Sequence, residues 1–194
     1  MKKNKTILIV VLAFVLLIGG AYVLYDQLSQ GVAPDQLAAQ DGAQTQTDGE
    51  NEVEKVSAPN FTVYDREGNE VHLSDYVGKP VVLNFWASWC GPCQSEMPDF
   101  DEVCAELGDE IQFLMVNMTT SSRESLEKAT AFIDERGYSF PVLYDTDGDA
   151  ATTYGVYSLP TTYFIDAEGH GIAQATGPID TETLKKGIGM ITEQ

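Results

Sequence analysis

The chain has 194 residues, 30 of them acidic and 11 basic, for a formal charge of −19. That length allows one ordinary domain with appendages, and an acidic body argues against nucleic acid or anionic headgroups as partners, leaving the excess charge as a solubility device. Three cysteines, two of them spaced C-x-x-C, are not the even framework of a disulfide-stapled domain. His72 and His170 stand too far apart to complete a zinc site, and Gln94 after the C-x-x-C stands where a haem attachment needs His.

Lys2, Lys3 and Lys5 precede an apolar run from Thr6 to Tyr25 that carries no charged side chain. At about 1.5 Å per residue this run spans a bilayer as a helix. Lysines before it and Asp26 after it orient residues 1–5 to the cytoplasm and everything beyond residue 25 to the outside. A cleaved signal peptide fits less well, because the apolar stretch is long and no Ala-x-Ala site closes it, Gly31-Val32-Ala33 being a poor candidate. Residues 26–56 are rich in Gln, Ala, Asp, Gly and Thr and are expected to form a flexible tether.

From Ser57 to the end the pattern is that of a folded domain. Phe61–Tyr64 and Glu70–Leu73 predict a strand pair around a turn at Asp65–Asn69. Pro80–Trp86 is the near-continuous apolar run of a strand buried on both faces. A helix is expected from Pro92 to Glu106 and a second buried strand from Ile111 to Val116. Ser121-Ser122-Arg123-Glu124 has capping-box spacing and predicts a helix from there to Gly137, which sits where a C-terminal cap belongs. Strands at Val142–Tyr144, Thr161–Asp166 and Gly171–Thr176 follow, with helices at Asp149–Tyr154 and Asp180–Ile191. Alternating strands and helices with a closing hairpin predict an α/β domain built on a mixed sheet.

Cys90 and Cys93 are the chemical centre of this pattern. Placed between a buried strand and a helix start, they are neighbours on one helix turn and close a small disulfide. At the helix amino end, unpaired N–H groups and the macrodipole favour a thiolate on Cys90, the species that attacks disulfides. Pro92 is tolerated in a first turn. Cys93, one turn in, is expected to be buried and protonated until needed. Glu96 lies at i+3 from Cys93, and a half-buried carboxyl there has its pKa raised and serves as acid and base near neutrality. Cys104 falls three turns further along and reads as a packing cysteine.

Phe85-Trp86-Ala87-Ser88-Trp89-Cys90-Gly91-Pro92-Cys93, Pro98 and Ser158–Asp166 resemble the active-site stretch, the helix-kinking proline and the cis-proline segment of thioredoxins. Gly78–Trp86, the amino-terminal strand pair, Cys93-Gln94-Ser95-Glu96-Met97-Pro98 and a helical insertion resemble the membrane-anchored TlpA/ResA-like group more closely. The resemblance implies a thioredoxin fold, a central mixed sheet flanked by helices, behind a single transmembrane helix. It implies catalysis by Cys90 and Cys93, with Trp89, Gly91 and Pro92 shaping the site. It also implies that Pro160 is cis and that Leu159 offers backbone to an extended substrate. Asn84 stands where thioredoxins carry a buried aspartate, which leaves the proton-handling role to Glu96. Trp86 is expected to pack around the site.

The activity implied is extracytoplasmic thiol–disulfide exchange with no cofactor or metal beyond the Cys90–Cys93 disulfide. Exported proteins such as apocytochrome c are the implied acceptors, and a transmembrane thiol carrier the implied electron donor. A disulfide oxidase or isomerase would use the same residues in the other direction. A peroxiredoxin would present a lone peroxidatic cysteine, and a Sco-like copper carrier a C-x-x-x-C with a distal histidine.

Overall fold

The computed structural model describes residues 55–120 and 122–192, together with the backbone of 37–39. The expected basic tail (1–5) and membrane helix (6–25) lie outside these residues. Among the described residues no helix is long and apolar enough to cross a membrane.

The centre of the sheet is β4 (Val81–Trp86), every residue of which is buried, as its unbroken apolar run requires. It pairs in parallel with β5 (Gln112–Asn117) and antiparallel with β7 (Thr161–Ile165). Beyond β5 come β6 (Val142–Tyr144) in parallel and the antiparallel hairpin of β2 (Thr62–Tyr64) and β3 (Glu70–His72). Beyond β7 come β8 (Gly171–Thr176) and β1 (Leu37–Ala39), both antiparallel. The order is β1-β8-β7-β4-β5-β6-β2-β3, and the mixed sheet is the one expected.

Alternation along β4 divides two cores. Val82 and Trp86 face a cluster built with α1 (Gly91–Leu107), α2 (Leu126–Arg136) and α4 (Thr181–Thr192), whereas Val81, Leu83 and Phe85 face Phe61, Leu73 and Ala150 of α3 (Asp149–Thr153). The close seat of α4 on β7 depends on Gly187, where a Cβ would lie 2.3 Å from the Phe164 ring.

Two expectations are corrected. Leu37–Ala39, inside the stretch read as an unstructured tether, form a strand on β8. Strand addition rests on main-chain hydrogen bonds, so a segment poor in large apolar residues still completes an open sheet edge. The domain also begins slightly before Ser57: Val56 accepts a hydrogen bond from the Gly171 N–H at 2.9 Å, and Lys55 Nζ reaches Asp166 at 3.2 Å.

The second correction concerns α2. It begins at Leu126 with Ser125 as its cap, the hydroxyl accepting from Lys128 N–H at 3.2 Å. Glu124 does not complete a capping box, because its carboxylate is claimed by the Ser88 turn. At the other end Gly137 is the left-handed cap expected, with φ +69°.

Candidate active site

The site grows from the carboxyl end of β4. The chain leaves the sheet at Trp86 and turns through Ala87–Trp89, with Cys90 N–H donating to Ala87 carbonyl at 3.1 Å. It then enters α1 with Cys90 as N-cap. Cys90 and Cys93 are joined in a disulfide, and Cys90 Sγ also accepts from the Cys93 N–H at 3.2 Å. That amide has no partner within the helix, so the sulfur sits at the positive end of the helix dipole. Gln94 Nε2 returns to Ser88 carbonyl at 2.6 Å and ties the turn to the helix.

Cys90 borders an open groove of about 490 Å³, and Cys93 is wholly buried. Trp89, Gly91 and Pro92 line the groove from the redox turn, and Val156, Tyr157 and Leu159 line it from the segment before Pro160. The Leu159–Pro160 bond is cis, as the resemblance implies. Trp89 is 38% exposed, with the Arg123 guanidinium 3.5 Å from its ring centroid. Trp86 is fully buried against Phe132 in the core that also holds both active cysteines.

Glu96 lies on the inner stripe of α1 with Cys93, Met97, Phe100 and Val103. It is 2% exposed, and among the described residues no lysine or arginine forms a salt bridge with it. Its Oε1 accepts from Asn84 Nδ2 at 2.9 Å and its Oε2 from Ile179 N–H at 3.0 Å. Burial raises the carboxyl to about 7 against the opposing pull of those two hydrogen bonds. Asn84 Nδ2 also donates to Thr162 Oγ1 at 2.9 Å, whereas Asn84 Oδ1 is buried without a partner among the described residues.

The structure thus brings Cys90, Cys93, Glu96, Trp89, Gly91, Pro92, Leu159 and Pro160 to one end of the sheet. It adds residues the sequence did not single out as functional. Tyr157, 99% exposed, and Arg123 line the groove, and Glu124 is drawn under the redox turn. Tyr157 lay within reach of sequence reasoning, being an aromatic residue two positions before Leu159; Glu124 did not. Cys104 is a free, half-buried thiol whose pKa burial pushes up. Among the described residues the metal-type ligands that converge are Asp166, Glu168 and His170, where Asp166 already accepts from His170 and Lys55.

Comparison with known proteins gives the same reading. Residues 55–172 match the AhpC/TSA family. The thiol–disulfide oxidoreductase ResA of Bacillus thuringiensis (strain Al Hakam) is 34% identical over 195 residues, covering 99% of both chains. A ResA of Bacillus thuringiensis subsp. konkukian is 38% identical over 138 residues, which is 70% of this chain and 76% of that one. Among solved structures StoA from Bacillus subtilis is similar at a TM-score of 0.59 and 26% identity, covering 66% of this chain and 96% of StoA.

Proposed function

The chain belongs to the AhpC/TSA family and, within it, to the ResA-like thiol–disulfide oxidoreductases, and on that premise we propose that it reduces disulfides in exported proteins, apocytochrome c among them. The observation that carries this reading is the placement of the two sulfurs: Cys90 at a helix amino terminus on an open groove, Cys93 buried behind it.

The proposed cycle follows from that placement. In the dithiol form the Cys90 thiolate attacks a substrate sulfur, forms a mixed disulfide and displaces the substrate's other sulfur as a thiolate. Cys93 then attacks Cys90 Sγ, releasing the second substrate thiolate and forming the intramolecular disulfide. Two electrons pass from the Cys90–Cys93 dithiol to the substrate, and a dithiol donor must return them. Glu96, one turn from Cys93, takes the Cys93 proton as that thiol becomes a nucleophile, for which a carboxyl near 7 is suited. The groove receives an extended segment, with Leu159 offering main-chain groups and Trp89 and Tyr157 offering ring faces. The redox couple is the protein's own sulfur pair, and no other cofactor or metal is invoked.

The proposed location is the outer side of the cytoplasmic membrane, with residues 6–25 as the anchor. Outside the cytoplasm the surroundings are oxidising. A transmembrane thiol carrier therefore has to feed a reductase placed there.

The test is the reduction potential of the protein in glutathione or dithiothreitol buffers. A value near about −270 mV supports a reductase. A value near about −120 mV transfers the same residues to disulfide formation and overturns the direction proposed.

A further inference from the structure

Just before α2 lies a carboxylate that the proposed cycle does not use. Glu124 is 7% exposed, and among the described residues no lysine or arginine forms a salt bridge with it. Its oxygens accept from the Ser88 N–H, from the Ser88 hydroxyl at 2.9 Å, from Ser125 N–H at 3.2 Å and from Asn117 Nδ2 at 3.4 Å. Every partner is a neutral donor, so in all four contacts the carboxylate acts as acceptor only. Two of those bonds come from Ser88, two residues before Cys90, so no more than about 7 Å of backbone separates the clamp from the attacking cysteine. The adjoining Arg123 places its guanidinium over Trp89, the residue between them.

We propose that Glu124 is a positioning residue of the redox pair: it fixes the Ala87–Trp89 turn ahead of Cys90, and its negative charge biases the Cys90–Cys93 couple toward the disulfide, making the reduced enzyme the stronger electron donor. The inference rests on the thiol–disulfide function proposed above and adds the element that sets its poise.

The physical argument concerns which redox state suffers from the charge. The disulfide is neutral. The dithiol holds part of its population as Cys90 thiolate, stabilised by the helix terminus. A buried anion nearby raises the energy of that thiolate, and with it the energy of the reduced state. Low local polarizability strengthens the effect, since water does not surround Glu124. The other charges around the turn are placed differently. Arg123 and Lys128 are exposed, with Lys128 Nζ on Arg123 carbonyl at 3.2 Å, so solvent screens both. Glu96 faces the inner side of α1, bonded to Asn84 and Ile179.

The test is equilibration of the full chain with glutathione. Two glutathione thiols reduce the protein disulfide, forming one glutathione disulfide, while Cys90 and Cys93 take up two electrons and two protons, less the fraction of Cys90 left as thiolate. Glu124→Gln should shift this equilibrium about tenfold toward the dithiol, an upward move of about 30 mV for a two-electron couple. The pH midpoint for alkylation of Cys90 should fall in the same variant. Ser88→Ala removes one anchor and keeps the charge, and should stay within about twofold of wild type. Glu124→Asp also keeps the charge; it should lower the melting temperature while leaving the potential in place, and it stands in if Glu124→Gln does not fold.

An unmoved potential in Glu124→Gln overturns the proposal, as does an equal shift in Ser88→Ala or a shifted potential in Glu124→Asp. A wild-type pair that failed to exchange with glutathione at all would instead defeat the thiol–disulfide function itself.

Discussion

Cys90 and Cys93 are one helical turn apart and share one buried core cluster, but of the two only Cys90 borders the groove. Around Cys90 the molecule is open, with a groove, an aromatic ring at 38% exposure and a second at 99%. Around Cys93 it is closed, with Glu96 and Asn84 buried in the core beneath β4 and α1. The difference teaches how two chemically identical thiols acquire distinct roles. In the proposed cycle the outer sulfur meets protein substrates and is activated by a helix terminus, which works in the presence of water. In that cycle the inner one needs a proton acceptor, and burial raises the Glu96 carboxyl into the range where it can serve near neutral pH.

The largest effects should come from removing either sulfur, because that tests the comparison directly. Cys90→Ser should lower turnover by at least about 10³-fold, since no nucleophile is left on the groove. Cys93→Ser should also stop turnover, but with a different signature: covalent mixed disulfides with substrate, visible as a mass shift reversed by dithiothreitol. Covalent capture by Cys90→Ser and none by Cys93→Ser would reverse the order of attack.

Glu96→Gln probes the closed side alone. Reduction of substrate should fall about 10²-fold at neutral pH. The rise in wild-type rate through pH 7, as the carboxyl becomes able to accept the Cys93 proton, should be lost. Stability changes with the opposite sign. A carboxyl raised from 4.5 to about 7 in the native state holds its proton more tightly there than in the unfolded chain. Its contribution is therefore full below about pH 4.5 and is lost as pH climbs through about 7, a change of up to about 3 kcal/mol. Denaturant unfolding of the oxidised protein between pH 5 and 8 should show that decline in wild type and a flatter profile in Glu96→Gln. Matching slopes would mean that burial does not perturb Glu96.

What the sequence revealed and concealed divides along the same line as local and distant causes. The redox turn was legible because each determinant is local: an apolar strand, Pro92 in a first turn and two thiols one turn apart. Glu96 was legible for the same reason, as a position counted along one helix from Cys93. Glu124 was misread because S-x-x-E spacing is satisfied equally by a capping box and by a side chain turned away from it. The partner that decided the matter, Ser88, lies 36 residues earlier in the chain. Arg123 and Tyr157 reach the groove through crossovers of the sheet, which no periodicity reports. Leu37–Ala39 gave no hydrophobic signal, because an edge strand needs only its backbone.

The smallest effect belongs to Tyr157 on the open side, and it separates recognition from chemistry. The ring is 99% exposed and lines the groove beside Cys90 without belonging to either core cluster. Removing it therefore costs little folding stability, and a ring face offered to an extended chain should contribute to substrate binding in ground and transition state alike. Tyr157→Ala should raise KM for a protein substrate by about 3- to 10-fold with kcat unchanged, the signature of lost uniform binding. Small disulfides that do not extend along the groove should be reduced at the wild-type rate. A fall in kcat toward both substrate classes would instead tie Tyr157 to the geometry of the sulfur pair, and the division between an open recognising side and a closed proton-handling side would then be too sharp.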